Sequence, residues 1–249
     1  MQIRPLLLGE LSSNDGITFL GGDTAKTYVS PCLSFYVEIS GTKTVVDTGF
    51  GDLAYCQEVM GKENAIRGRG KPLEEGLQEI GVRPEDIQHV ILTHCHWDHM
   101  GGVGLFPNAT IFCQKAEMAW AAAAPKWAHG TYPTSFAKYL LDVHEQVRLV
   151  SGVEVLPCGI TMRKVGGHSP GTQLVEVPTD KGGVIILGDA AFQYANIEQQ
   201  WPMAFYHSLE ELIAALTYLR NRVNQDPSTI ILPGHDWKVW EEYGDGIAG

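Results

Sequence analysis

Two β-sheets packed face to face, with helices on their outer sides, is the α/β architecture that this sequence predicts. Two observations carry it. Strand-like runs come in two sets, one in each half of the chain, and each set is interleaved with helical segments. In both sets, strands end in turns that carry His or Asp, most of them bounded by glycine. With 249 residues, 44% of them hydrophobic, the chain can bury such a core, as one large domain or two small ones.

In the first half, Leu33 to Ile39 and Thr42 to Asp47 flank Ser40-Gly41 and predict a hairpin. Pro72 to Ile80, closed by Gly81, predicts a short helix with Pro at its start and Gly after its end. Ile87 to Thr93 and Ala109 to Gln114 predict strands, and Lys115 to Ala124 a helix stopped by Pro125. Ser135 to Val147 reads as helical. In the second half, Val153 to Leu156, Ile160 to Val165, Thr172 to Val177 and Gly183 to Leu187 predict strands. Ser208 to Val223 is the clearest helix: Ser208 and Glu211 form a capping-box pattern, and Leu209, Leu212, Ile213, Leu216 and Leu219 recur at helical spacing. Thr229 to Leu232 predicts a last strand and Trp237 to Tyr243 a closing helix.

Charge narrows the partners. The 29 acidic against 18 basic residues give a net charge of −11. That balance argues against nucleic acid or an anionic membrane as the main partner. The only modest basic stretch is Lys62 to Lys71, with Arg67 and Arg69, and it reads first as a solvated loop. Five scattered cysteines without a CxxC pair suit free thiols in a reducing compartment. Pro5 to Leu8 is too short for a leader's apolar region, and no run approaches the ~18–20 apolar residues of a membrane span. A cytoplasmic protein is expected.

The chemistry concentrates in His94-Cys95-His96-Trp97-Asp98-His99, directly after the apolar run Val90-Ile91-Leu92. Clustered imidazoles and a carboxylate at a strand end are what divalent metals such as zinc favour. In an extended chain His94 and His96 share a side and Cys95 points away, as a buried thiol. A tight turn then carries Asp98 and His99 to a neighbouring point, a layout that fits two metals. Three further strand ends carry a single candidate each: His168 in Gly166-Gly167-His168-Ser169-Pro170-Gly171, Asp189 in Gly188-Asp189, and His235 in Pro233-Gly234-His235. Val45-Val46-Asp47-Thr48-Gly49 has the same form. Each is weak alone, because a polar residue after a strand is usually a turn or cap. In order, H-x-H-x-D-H, then GHSPG, then GD, then GH is a specific pattern.

That ordered set resembles the metallo-β-lactamase superfamily, from Asp47 to His235. The resemblance implies a single domain over 1–249, an αββα sandwich of two mixed sheets with outer helices, and a dinuclear site at one edge. It implies that His94, His96 and His168 hold one metal, that Asp98, His99 and His235 hold the second, and that Asp189 bridges both. Asp47 is implied as a structural residue behind the ligands. Zinc is the first expectation for the two divalent ions, and iron, manganese or cobalt suit the same donors.

Within the superfamily the chain is most similar to N-acyl homoserine lactone lactonases and related small lactonases. All seven ligand types are present, and the short segment after His235 leaves no room for the helical domain of glyoxalase II-like thioesterases. The implied activity is opening of a lactone or related ester by a metal-bridging hydroxide, with Asp98 shuttling the proton. Such lactonases commonly have a tyrosine three residues after the bridging Asp. Phe192 stands there, so Tyr194, two residues on, is the remaining candidate for a hydrogen bond to the substrate carbonyl. Another cyclic ester, amide or thioester is the alternative substrate, and a mononuclear iron enzyme resembling the persulfide dioxygenases is the alternative chemistry. The partner is a small lactone or ester, and the chain is a monomer or homodimer. Aromatic residues in 118–136 and 192–206 are candidate pocket walls. His89, His129 and His144 read as surface residues, and His207 as a helix-start residue.

Overall fold

In the computed structural model, residues 1–58, 60–128, 130–132 and 145–248 are described. The first sheet is built from β1 (Gln2–Asn14), β2 (Thr27–Ile39), β3 (Thr42–Val46), β4 (Ala65–Ile66), β5 (His89–Ile91), β6 (Thr110–Gln114) and β7 (Val147–Val150). The second comprises β8 (Val153–Val155), β9 (Thr161–Lys164), β10 (Gln173–Val177), β11 (Val184–Gly188) and β12 (Ile230–Pro233). The last strand, β13 (Ile247–Ala248), returns to the first sheet beside β1. The first sheet runs β13-β1-β2-β3-β5-β6-β7, with β4 on β1, and the second β12-β11-β10-β9-β8. Both are mixed. β3, β5, β6 and β7 are parallel neighbours, as are β11 and β12, and the other pairs are antiparallel.

Period-two alternation decides the layers. Along β2, Leu33, Phe35 and Val37 face the second sheet and share a core with Met162, Val175, Val184, Ile186 and Leu232. Tyr36, on the other face, joins Leu6, Leu8, Val45, Val90 and Leu92 beneath Leu73 and Leu77 of one helix and Met118 and Ala121 of another. On the far side of the second sheet, Leu174, Ile185 and Leu187 pack under Leu216 and Leu219 of helix Leu209–Gln225. The layers are therefore helix, sheet, sheet, helix.

The hairpin forms as expected. Ser40 (φ 51°) and Gly41 (φ 82°) make the two-residue turn between β2 and β3 with both residues left-handed. The helix expected at Ser208 to Val223 spans Leu209–Gln225, and Ser208 caps it by accepting from the Glu211 N–H. Only half of the capping box is made. The Glu211 carboxylate reaches the Gly167 N–H at 3.2 Å and pairs with Lys164.

β1, thirteen residues long, takes up the apolar Pro5-Leu6-Leu7-Leu8 run. The helix expected over Ser135 to Val147 lies mostly outside the described residues, and at its end Val147 instead opens β7, pairing in parallel with β6.

Candidate metal site

The parallel pairs aim their C-terminal ends at one edge of the sandwich. Val46 of β3 lies beside Ile91 of β5, so Asp47 and the segment Leu92 to His99 leave the sheet together. Gly188 of β11 lies beside Pro233 of β12, so Asp189 and His235 also emerge together. The two sheets meet here. Gly188 has φ +50°, and a Cβ on it would lie 2.2 Å from the Thr93 hydroxyl, so close approach as well as conformation requires glycine.

His94, His96, His168 and Asp189 gather into one buried cluster, and Asp98, His99 and His235 into a second. Asp189 stands between them. Its Oδ2 lies 3.1 Å from His168 Nε2 and 3.6 Å from His94 Nε2, while its Oδ1 lies 3.1 Å from His235 Nε2 and 3.3 Å from His99 Nε2. One oxygen thus serves each cluster. Asp98 Oδ2 lies 3.9 Å from His99 Nε2 and 3.8 Å from His235 Nε2.

The outer ring nitrogens are engaged by the protein, which turns the inner ones toward the centre. His168 Nδ1 donates to the Phe205 carbonyl at 3.0 Å and His235 Nδ1 to the Pro31 carbonyl at 2.9 Å. His99 Nδ1 donates to Asp47 Oδ2 at 2.8 Å. Thr93 spends its own hydroxyl proton on Asp47 Oδ2, so its oxygen accepts from His94 Nδ1 at 3.1 Å. His96 is the reverse case, its Nδ1 facing His168 Nε2 at 2.9 Å. Among the described residues, His94 Nε2, His99 Nε2 and Asp189 Oδ1 are buried without a hydrogen-bond partner. Leaving such atoms unmet is costly, about 1–3 kcal/mol each. Orphaned imidazole nitrogens converging with carboxylate oxygens fit divalent metal ions such as zinc.

Electrostatics treat the two clusters differently. Burial is the largest influence on His94 and His96 and pushes both well below the ordinary imidazole value, into the neutral form that binds metal. Burial acts the same way on His99 and His235, but the Asp189 and Asp98 carboxylates, joined by Asp47 at His99, outweigh it and hold both raised. Burial also opposes the charge on Asp189, yet His99, His235 and His168 hold its carboxyl well below the usual range.

Two carboxylates behind the donors fix the loops. Asp47, itself at φ 57°, accepts from the Thr93 N–H and hydroxyl, both at 2.7 Å, as well as from His99. The sequence reading placed Asp47 behind the ligands and missed the other. Glu117, in helix Lys115–Ala123 and fully buried, accepts from the Cys95 N–H at 2.9 Å, the Ser169 hydroxyl at 2.6 Å and the Gly171 N–H at 2.8 Å. It therefore ties the loop bearing His94 and His96 to the loop bearing His168. The helix lies so close that a Cβ on Gly171 would be 2.3 Å from the Glu117 Cβ.

Tyr194 is not at the site. Its N–H donates to Asp236, starting helix Tyr194–Glu198, and its hydroxyl donates to the Ile231 carbonyl at 2.8 Å, with the ring packed on the inter-sheet core. That bond occupies the proton Tyr194 was expected to offer a substrate. Phe192 instead packs its ring against His168 and His235, with centroids at 5.5 and 5.6 Å. Cys95 is buried 3.5 Å from Cys113 Sγ and joins neither cluster. His89 is half-buried against Phe112 rather than a surface residue, and exposed His207 packs on Trp120. His129 and His144 lie outside the described residues. Of the candidate wall residues, Phe192 and Phe205 line the site, whereas Met203 is fully buried and Trp201 packs on Phe19.

The clusters open into a cavity of about 260 Å³. Its metal-facing end carries His96, Asp98, His168, Asp189 and His235, and its outer wall includes Ser12, Ser13, Tyr28, Lys62 and Asn64. A larger surface concavity of about 560 Å³, near Arg4, Lys71 and Glu242, contains none of the seven donors.

Comparison with known proteins places this geometry. An N-acyl homoserine lactonase of Bacillus cereus is 29% identical over 228 residues, covering 86% of each chain. A probable metallo-hydrolase of Mycobacterium tuberculosis is 26% identical over 242 residues, covering 84% of this chain and 76% of its own. Among solved structures, a quorum-quenching N-acyl homoserine lactone lactonase superposes with a TM-score of 0.80 at 21% identity, over 97% of this chain and 94% of its own. A second, solved with the product N-hexanoyl-L-homoserine at its catalytic metal centre, gives 0.78 at 23% identity, over 97% and 95%. The family model described as the metallo-beta-lactamase superfamily matches residues 27–235, the span that begins with β2 and ends on the last histidine of the cluster, and the chain belongs to that superfamily.

Proposed function

We propose that this chain is a dinuclear zinc hydrolase that opens a lactone or related ester, with an N-acyl homoserine lactone as the first substrate to test. The observation that carries the reading is Asp189, whose two oxygens face the two donor clusters separately. His94, His96 and His168 would hold one ion, Asp98, His99 and His235 the other, with Asp189 shared. When bound, the two ions supply Lewis acidity for the scissile carbonyl and a water that ionises near neutral pH.

The chain's own residues do the rest. Asp98 is buried but borders the cavity, so its carboxylate is placed to take a proton from the attacking water and return it to the departing alkoxide. Phe192 offers no proton, and its ring shields His168 and His235 from bulk water. The lactonase relatives support the substrate class. The intact second cluster favours hydrolysis over the single-iron, persulfide-dioxygenase alternative.

The test is metal analysis followed by pH-stat assay on a lactone panel. The expected result is close to two zinc ions per chain and turnover abolished by a chelator. In Asp189→Asn, turnover should fall at least ~100-fold while far-ultraviolet circular dichroism is retained. Zinc-loaded protein that opens no lactone, ester, thioester or amide overturns the proposal.

A further inference from the structure

The basic stretch from Lys62 to Lys71 contains four cations, and three are engaged within the chain. Arg67 donates to the Leu8 carbonyl at 2.6 Å. Arg69 pairs with Glu10 at 3.1 Å and lies 3.7 Å over the Trp237 ring. Lys71 pairs with Glu79. Lys62 differs. Its backbone is pinned, its N–H donating to the Cys56 carbonyl and its own carbonyl accepting from the Ala65 N–H, both at 2.9 Å. Its ammonium lies 5.2 Å from the Trp97 ring centroid, with no carboxylate and no hydrogen-bond acceptor among the described residues.

That ammonium lines the same cavity as both donor clusters. Its charge is coupled to the site, since it depresses His96 and is itself pulled upward by the Asp98 carboxylate. Burial outweighs the more distant Asp98 carboxylate and holds Lys62 below the ordinary lysine value, as for a cation partly stripped of water and, among the described residues, in no direct ion pair. An aromatic face stabilises a cation but supplies no anion. The lining mixes polar Ser12, Ser13, Tyr28 and Asn64 with apolar Leu11 and Ile17. A volume of about 260 Å³ lies below the usual range for small-molecule sites, roughly 300–1,000 Å³, which suits a short substrate arm better than a long alkyl chain.

We propose that Lys62 is the specificity-determining residue of this cavity and takes a carboxylate at the end of the substrate's non-reacting arm. The proposal rests on the lactone-opening reading above and names the substrate class for it: a lactone or ester with a short, acid-ended arm. The scissile carbonyl sits at the clusters, and the arm runs along the hydroxyl-lined wall to the ammonium over Trp97. The chain as a whole repels anions at −11, so a single local cation discriminates by position rather than by long-range attraction.

The experiment compares two homoserine lactones, one acylated with succinate and one with pentanoate, which share a ring and an arm length and differ in the terminal charge. For the zinc-loaded chain the kcat/KM ratio, succinyl over pentanoyl, should exceed 10. It should fall to near 1 in Lys62→Met, invert in Lys62→Glu and survive in Lys62→Arg, and rising salt should compress it. Binding of the two ring-opened products is measured alongside by calorimetry, which needs no turnover. If neither lactone is opened but the succinyl product binds at least tenfold tighter in a Lys62-dependent way, the lactonase reading fails and the subsite stands. If both are opened with a ratio near 1 that Lys62→Met leaves in place, the subsite is overturned and the lactonase reading stands. Absence of both turnover and differential binding overturns both.

Discussion

Replacing Glu117 should loosen the fold and the metal site together. The side chain is fully buried and accepts three hydrogen bonds, from the Cys95 and Gly171 amides and the Ser169 hydroxyl. Bonds to a charged acceptor contribute about 1.5–3 kcal/mol each, and two backbone N–H groups left without any acceptor cost about 1–3 kcal/mol each. These figures overlap, and Ser169 keeps a second partner in Thr172 at 2.7 Å. A net loss of about 4 kcal/mol for Glu117→Ala follows, a large share of the roughly 5–15 kcal/mol of a typical fold. At about 2–4 °C per kcal/mol for a chain of this size, the melting temperature should fall by roughly 10 °C. Glu117→Gln keeps the shape and one acceptor oxygen but turns an NH2 group toward a donor, so it should cost about half as much. Because the bonds tie the His94–His96 loop to the His168 loop, zinc affinity should drop by about 10–100-fold in both variants, as it does when groups behind metal ligands are lost. Thermal unfolding of chelated protein and zinc titration against a competing dye measure the two effects. A shift under about 2 °C in Glu117→Ala, or a large shift with unchanged zinc affinity, would refute the clamp.

Two further outcomes are expected. In Asp47→Asn an amide replaces a carboxylate on which three donors converge, so the His99 ring loses its anchor, and metal analysis at limiting zinc should show one site weakened by about 10–100-fold while the other is retained. Burial, helped by the Asp98 carboxylate, pushes the Cys56 thiol from an ordinary 9.0 up to about 11. Above pH 9 the unfolded chain releases that proton while the folded chain keeps it, so stability is full below pH 9 and declines toward pH 11; urea titrations of wild type and Cys56→Ala at pH 8 and 10.5 should show a shallower pH slope in the variant.

The sequence disclosed the residues that converge because each sits beside a turn at a strand end, where local pattern and spatial position coincide. His94 and His96 follow β5, Asp189 follows β11 and His235 follows β12, so reading the strands is nearly reading the site. Glu117 was invisible for the opposite reason. Within Lys115–Ala123 it is one acidic residue in a helix's first turn, and only the parallel β5–β6 pairing and the docking of the second sheet bring Cys95 and Gly171 to it. Tyr194 was misjudged because counting from Asp189 assumes an extended chain. The capping bonds at Gln193, Asn196 and Asp236 begin a helix there and swing the phenol to Ile231. Lys62 was legible as a charge but not as a unit of the site, since its separation from Arg67, Arg69 and Lys71 depends on what those three find to bind.

The parting of donors between the sheets has a consequence for biogenesis. His94, His96, Asp98 and His99 come from the first sheet's strand ends, and His168, Asp189 and His235 from the second's. Each cluster draws on both sheets, and His235, after Asp189, is the last of the seven residues to be synthesised. A nascent chain therefore completes neither cluster until strands of the second sheet have been made and docked on the first.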